Sequence, residues 1–203
     1  MIDAIYKRRS IRKFLRQPVP DDVIRTIIEA GTWAPSAKNK QPWKFVVIRG
    51  KERRDMVRLL KKGILKARKG EGIFVGYDAL IPSAIYTARV LEQSPAVIFI
   101  LNTEGTSIYK ELTPAEKVME LTNQESVSAA IQNMALAAAD LGLGSLWTCN
   151  IFCAYDELKE WLGEEGEMMA ALAIGYTDQD VRPLPRKSID DIIVFRGRDE
   201  EEA

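Results

Sequence analysis

A basic cluster near the start of the chain has the composition of a phosphate-binding segment. Arg8, Arg9, Ser10 and Arg12 supply three guanidinium groups and a hydroxyl within a few positions of each other. A guanidinium group can bind two phosphate oxygens at once, and a serine hydroxyl can donate to a third. Cations also suit the C-terminal end of a helix, where the helix dipole is negative. From the residues alone, the cluster is therefore either a phosphate site or a solvated helix end.

A second segment, between Trp33 and Trp43, is dense in polar and turn-forming side chains. A stiff loop of this composition suits a flat ligand with polar edges. Proline and serine are equally common in ordinary connections between a helix and a strand, so both interpretations stay open. The residues concerned are Pro35, Ser36, Asn39, Gln41 and Pro42.

Two further segments could approach a ligand. Gly142 and Gly144 lie where an alanine-rich helix leads into the strand that contains Trp147 and Thr148. Glycine lets backbone come close to a ligand, but a glycine after a helix is equally a C-cap. The order helix then strand excludes a dinucleotide-binding fingerprint, which follows a strand.

Late in the chain, Arg186 and Lys187 follow Pro183 and Pro185. Two cations on a proline-stiffened loop could close over a phosphate. They could also be two solvated charges on a surface connection.

Composition narrows the chemistry. The 203 residues contain no histidine, which excludes the usual Ser-His-Asp and Cys-His machinery and His-ligated zinc. Cys149 and Cys153 are too few for a structural zinc site or a disulfide framework, so we expect no metal, inert thiols and a reducing, cytoplasmic setting. An organic cofactor is the natural candidate for the chemistry.

The charge balance predicts neither a nucleic-acid nor a membrane partner. Lys plus Arg and Asp plus Glu each number 29. No apolar run approaches the roughly 20 residues that span a bilayer, and the first residues do not have the apolar core of a signal peptide. Residues 51–69 contain nine Lys or Arg but no interleaved aromatics, so a solvated helix face is favoured over a nucleic-acid module.

Hydrophobic periodicity predicts the elements that position these segments. The pattern indicates an α+β fold with helices packed on one sheet. It also predicts one domain over residues 1–198 and a frayed acidic tail over 199–203. Residues 68–94, interrupted by glycine and proline, give no clear period. The predicted helices cover residues 2–9, 21–31, 51–67, 126–141 and 155–162, with a short one from Thr113 or Pro114; the strands cover 45–48, 96–101, 145–151, 168–174 and 190–195.

In this order, the four segments resemble the nitroreductase superfamily of FMN-dependent oxidoreductases. The resemblance covers residues 1–50 and 124–196; residues 51–123, where this superfamily varies its substrate pocket, match poorly. The matching motifs are Arg8 to Phe14, Ala34 to Trp43, Gly142 to Gly144, and Pro185 to Lys187.

The resemblance implies a role for each matching residue. Arg8, Ser10 and Arg186 hold the FMN phosphate, with Lys187 in support, and Arg9 lies against the flavin ring or ribityl chain. Arg12 sits near N1 and O2 of the ring, where its charge stabilises the reduced flavin. Pro35, Ser36 and Asn39 reach the cofactor from the other subunit, and the backbone at Trp147 and Thr148 lines the polar edge of the ring. Gln41 is a further cofactor-binding residue.

The resemblance also implies an architecture and an activity. The sheet is central, mostly antiparallel and flanked by helices, and the strand at 190–195 is exchanged between subunits of an obligate homodimer with FMN at the interface. The implied reaction passes a hydride from NADH or NADPH through FMN N5 to a nitroaromatic or quinone in a ping-pong cycle. The alternative is a specialised flavoprotein of the same fold, such as a dehalogenase, a dehydrogenase or a flavin carrier.

Overall fold

Six helices and four strands make up the regular structure of this computed structural model, which describes residues 2–73 and 78–197. The predicted acidic tail, 199–203, lies outside the described residues. None of the described helices combines the length and apolarity needed to cross a membrane. The helices are α1 Asp3–Lys7, α2 Asp21–Thr32, α3 Glu52–Arg68, α4 Ile81–Gln93, α5 Pro114–Asp140 and α6 Tyr155–Leu162; the strands are β1 Trp43–Arg49, β2 Ala96–Asn102, β3 Gly144–Thr148 and β4 Glu167–Gly175.

The four strands form one antiparallel sheet in the order β1-β2-β4-β3. Every residue of β2 is buried, because helices cover both faces of the sheet. Val97 and Phe99 pack in the core on the side of α3, α4 and α6, whereas Ile98 and Ile100 pack in the core beneath α2 and α5. The predicted α+β class, with a mostly antiparallel sheet flanked by helices, is confirmed.

Helix α5 is longer than the sequence predicts. The short helix starting near Thr113 and the helix at 126–141 are one continuous element. The sequence pattern separates the two halves because the apolar residues of the first half give no stripe toward the core. In the structure these residues, among them Val118 and Leu121, are exposed. A capping box fixes its start: the Glu116 backbone donates to the Thr113 hydroxyl at 3.3 Å, and the Thr113 backbone donates to the Glu116 carboxylate at 2.9 Å.

Other boundaries also differ from the predictions. The unassigned stretch 68–94 contains α4, and the strand predicted at 145–151 ends at Thr148, where a 3-10 turn over Asn150–Ala154 begins. In α1 the predicted apolar face is exposed, and Ala4 is the buried residue.

The strand predicted at 190–195 is not formed within one chain. The Ile192 backbone donates to the Ile189 carbonyl at 3.1 Å in a turn, and residues 193–197 pair with none of the strands in the described part of the chain. Exchange of this segment into the sheet of a partner stays a prediction.

The capping box predicts a pH dependence of stability. Lys110, at 2.8 Å, and the two Thr113 donors lower the pKa of Glu116 from 4.5 to about 2. A carboxylate with a lowered folded-state pKa stabilises the fold above its unfolded pKa, and this contribution is lost as the pH falls toward the folded value. We expect Glu116→Gln to lower the urea midpoint at pH 6, with a difference from wild type that closes between pH 4.5 and about 2.

Urea titrations across that pH range provide the measurement. Glu125→Gln is the matched control, because Glu125 is an exposed carboxylate on the same helix and forms no ion pair with any described residue. A Glu116→Gln deficit that stayed constant down to pH 2 would show that the carboxylate charge is not its source.

Candidate functional site

The basic segment of the sequence lies along the free edge of the sheet. Ser10 forms a parallel bridge with Ser145 of β3, and the Ile11 backbone donates to the Ser145 carbonyl at 2.9 Å. The contact is close because Gly144 has no side chain: a Cβ there would lie 2.7 Å from the Ile11 side chain. The glycine therefore makes room for the basic segment itself.

Gly142 has the other role that the sequence left open. With φ +77° it ends α5, where the Leu143 backbone donates to the Ala138 carbonyl at 2.8 Å and the Gly142 backbone donates to the Ala139 carbonyl at 3.2 Å. These two bonds make a Schellman C-cap. The two glycines thus serve helix termination and segment packing.

Residues 176–181 hold the basic segment from its other side. The Gln179 side-chain oxygen accepts from the backbones of Arg12 and Lys13 at 2.8 and 2.9 Å. The Thr177 hydroxyl donates to the Lys13 carbonyl at 2.7 Å, and the Leu15 backbone donates to the Tyr176 carbonyl at 2.8 Å. The role of Gln179 was not predicted, because a polar residue in a polar loop gives no signal of a partner 167 positions away.

Five arginines surround a cavity of about 520 Å³ beside this segment, which we call the arginine cleft. Ser10 and a short apolar wall complete the lining, and no described Asp or Glu contributes to it. Uncompensated guanidinium groups in a concave surface favour an anionic ligand. Arg182 was not predicted, although its position before Pro183 gave it the same setting as Arg186. The five are Arg8, Arg9, Arg12, Arg182 and Arg186.

The guanidinium groups differ in how far they are engaged by the protein. Arg9 donates to the carbonyls of Tyr6, Arg8 and Val181 at 2.6, 2.8 and 3.2 Å, so it ties the end of α1 to the late loop. Arg12 donates to the Ser10 carbonyl at 3.0 Å.

Within the described chain, the side chains of Arg8 and Arg186 have neither an ion pair nor a hydrogen bond. Their donors are therefore available to a ligand.

The predicted loop around residues 35–41 has a constrained geometry of its own. The Gln41 backbone donates to the Ser36 hydroxyl and the Asn39 backbone to the Ser36 carbonyl, both at 3.0 Å. Lys38, Asn39 and Gln41 have φ between +50° and +54°, a region that non-glycine residues rarely occupy. The loop, including Pro35, does not line the arginine cleft.

The sheet register shows how far apart these two motifs lie. Trp43 pairs with Asn102, which pairs with Glu167 of β4, whereas Ser145 pairs with Ile174 at the opposite end of β4. The two motifs are thus separated by three strand spacings, about 14 Å, and by seven residues of strand, about 23 Å. One chain keeps them roughly 27 Å apart, on diagonally opposite corners of the sheet.

The last three predicted residues lie near the cleft but do not line it. Trp147 and Thr148 end β3, on the strand that receives Ser10; Trp147 is partly exposed and Thr148 is buried. The Thr148 hydroxyl accepts from the Asn150 backbone at 3.2 Å. Lys187 is exposed beside Arg186.

The two cysteines have no disulfide, and burial raises the pKa of both the Cys149 and the Cys153 thiol. Both therefore stay protonated at neutral pH, the state in which a thiol is a poor nucleophile.

The chain is similar to several known proteins. A "Putative NADH dehydrogenase/NAD(P)H nitroreductase" of Methanothermobacter thermautotrophicus is 30% identical over 73% of this chain, which spans 60% of that relative. Iodotyrosine deiodinase 1 of Rattus norvegicus is 27% identical over 95% of this chain and is covered over 68% of its own length. The fold matches a Desulfovibrio desulfuricans structure described as "a putative nitroreductase in complex with fmn", with a TM-score of 0.69, 26% identity, and 96% and 95% of the two chains covered. The model of the nitroreductase family matches residues 5–176, and this chain belongs to that family.

Proposed function

We propose that this chain binds FMN, with the phosphate in the arginine cleft, and acts as an NAD(P)H-dependent oxidoreductase. The observation that supports this most strongly is the cleft itself, where five guanidinium groups face a cavity that no described carboxylate lines. Membership of the nitroreductase family and the FMN reported for the Desulfovibrio relative add to that support.

The residues that line the cleft fit a phosphate group. Arg8 and Arg186 have uncommitted donors, and Ser10 is held on β3 by its bridge to Ser145. Charge-assisted bonds from guanidinium to phosphate are among the strong hydrogen bonds in proteins. We assign phosphate binding to these three residues, with weaker support from Lys187. Arg9, whose donors hold the walls together, contributes its charge.

When bound, FMN supplies the redox chemistry, taking a hydride from NAD(P)H and passing electrons to an acceptor. The protein then has to position the ring and compensate the charge that develops on it. We assign charge compensation to Arg12, because Gln179 fixes its backbone and its guanidinium group faces the cleft. The backbone at Trp147 and Thr148 follows the ring's polar edge in this proposal.

We further propose a homodimer in which the partner supplies Pro35, Ser36, Asn39 and Gln41 to the cofactor. Trp43, next to this loop, and Ser145, which pairs with Ser10, lie roughly 27 Å apart along the sheet, and this separation favours delivery of the loop by a partner chain. The C-terminal segment supports exchange between subunits, since Val194 and Phe195 are 80% and 74% exposed in the single chain. Apolar side chains with this exposure are typical of a surface that pairs with another chain.

For the acceptor we propose a small aromatic compound of the nitroaromatic or quinone type. A second candidate, reductive removal of a halogen from an aromatic ring, is supported by the similarity to iodotyrosine deiodinase 1 along 95% of this chain. Steady NAD(P)H consumption with a quinone supports the first, and halide release from a halogenated phenol without quinone turnover supports the second. A cytoplasmic setting stays a prediction from the cysteine usage.

The cofactor assignment predicts the effect of removing cleft arginines. We expect purified protein to take up one FMN per chain and to lose its flavin absorbance under anaerobic NADH or NADPH. Arg8→Ala and Arg186→Ala should each raise the Kd for FMN roughly 10–100-fold, because a hydrogen bond to a charged group contributes about 1.5–3 kcal/mol. Quenching of FMN fluorescence measures the Kd.

Lys13→Ala is the matched control, because Lys13 is an exposed cation next to the cleft and its side chain does not line it. A wild-type protein that takes up no FMN would refute the proposed function. If Lys13→Ala and Arg186→Ala raised the Kd for FMN equally, the effect would come from general surface charge and not from contacts in the cleft.

The role of Arg12 predicts a change in redox potential. Without its charge, the reduced cofactor loses stabilisation relative to the oxidised form, so Arg12→Ala should lower the two-electron midpoint potential by about 30 mV, equivalent to roughly 1.4 kcal/mol. Arg12→Lys, which keeps the charge, should recover most of that difference. Spectroelectrochemical titration of FMN-loaded protein gives the potential; an unchanged value in Arg12→Ala would remove the assignment.

The composite site predicts complementation between defective chains. One variant has Arg8→Ala with Arg186→Ala, and the other has Asn39→Ala with Ser36→Ala. In hybrid dimers, one of the two sites combines only the unaltered halves, so mixing should restore FMN binding to about half of the sites, while the separate variants bind weakly. Titration of affinity-purified hybrids tests this. Hybrids no better than their parents would show that each site is built within one chain.

A further inference from the structure

We propose that a second cavity, next to the arginine cleft, binds a small phosphate ester. This cavity has a volume of about 440 Å³ and lies between the basic segment, the start of β3 and residues 177–183. It shares Arg8, Arg9 and Arg182 with the arginine cleft but is not lined by Ser10, Arg12 or Arg186. The volume lies in the range of small-molecule sites, so a ligand larger than a bare ion fits.

The charge of the lining favours an anion. Lys7, Arg8, Arg9 and Arg182 contribute four cations, against the single carboxylate of Asp180. The pair between the Lys7 Nζ and Asp3, at 3.3 Å, is solvent-exposed, and such pairs hold a side chain only weakly. Lys7 can therefore turn toward a ligand. The guanidinium groups of Arg8 and Arg182 form no side-chain bond with the residues that the structure describes.

A serine hydroxyl in the lining of this cavity is free to bind a ligand. Ser145 lines it and is only 4% exposed, yet its hydroxyl has no hydrogen-bond partner among the described residues. Side chains alternate along a strand. Since Leu146 packs in the core on the α3 side, Ser145 faces the α5 side, where Leu143 also lines the cavity. The hydroxyl is open to the cavity and can donate to a phosphate oxygen there.

The apolar residues that line the cavity favour a ligand with an apolar part. Ile11, Leu143 and Val181 give the cavity an apolar side opposite the cations. A small ester with a phosphate head and a partly apolar body matches both halves of the lining. Arg8 lines both cavities and is assigned to the flavin phosphate. The inference does not rest on that assignment, because Lys7 and Ser145 line this cavity alone.

The test is a titration of FMN-loaded protein with phenyl phosphate, followed by calorimetry at constant ionic strength. We expect one saturable site per chain, with flavin absorbance and fluorescence unchanged. Lys7→Glu and Ser145→Ala should each weaken phenyl phosphate binding about 10-fold, whereas Lys13→Glu, which makes the same charge change outside the cavity, should leave it unaltered. Phenol, which lacks the phosphate head, should not bind.

Three results would overturn the proposal: no saturable binding, release of FMN in step with phenyl phosphate uptake, or equal weakening by Lys7→Glu and Lys13→Glu. The Arg186→Ala variant separates this inference from the proposed function. It should lower the affinity for FMN and leave the affinity for phenyl phosphate unchanged. Protein that fails to bind FMN but binds phenyl phosphate in a Lys7-dependent way would refute the flavin function and retain this site.

Discussion

The arrangement of this molecule depends on the contact between the basic segment and the edge of the sheet. The Ile11 side chain packs directly over Gly144, in space that a side chain on that residue would occupy. Gly175 leaves room in the same way for Phe14 and Pro95. Extra side-chain volume at such contacts costs about 1–3 kcal/mol and shifts the backbone. Because Arg8, Arg9 and Arg12 belong to this segment, the shape of the arginine cleft depends on these two glycines.

Hydrophobic periodicity was sufficient to predict the helices and strands whose apolar residues follow one dominant period. The apolar run of β2 and the amphipathic stripe of α2 were predicted close to their observed bounds, since each records the faces that the element buries. The first half of α5 was not predicted as part of this helix, because its apolar residues are exposed in the single chain and form no stripe toward the core. The predicted segment 190–195 forms no strand there, because a strand needs a partner and none of the described strands pairs with it.

The charged residues of the candidate site were predictable from the sequence, but the hydrogen bonds between them and the rest of the chain were not. The clustered arginines were evident from residue types, and four of the five cleft arginines were singled out. Which of them is engaged by carbonyls and which is available could not be predicted, because Arg9 and Arg8 are adjacent and chemically identical. The role of Gln179 could not be predicted either, since its side chain binds backbone atoms near the other end of the chain.

The long separation of these contacts has a consequence for biosynthesis. The bonds from Gln179 to the backbones of Arg12 and Lys13 join residues 167 and 166 positions apart, and Arg186 lies further on still. Contacts between distant parts of a chain form late, because loop closure must precede them. A nascent chain that has not yet emerged past residue 186 cannot hold the complete cleft. The anion-binding site is therefore completed only once residue 186 is available, and its ligand cannot act as a template for the early steps of folding.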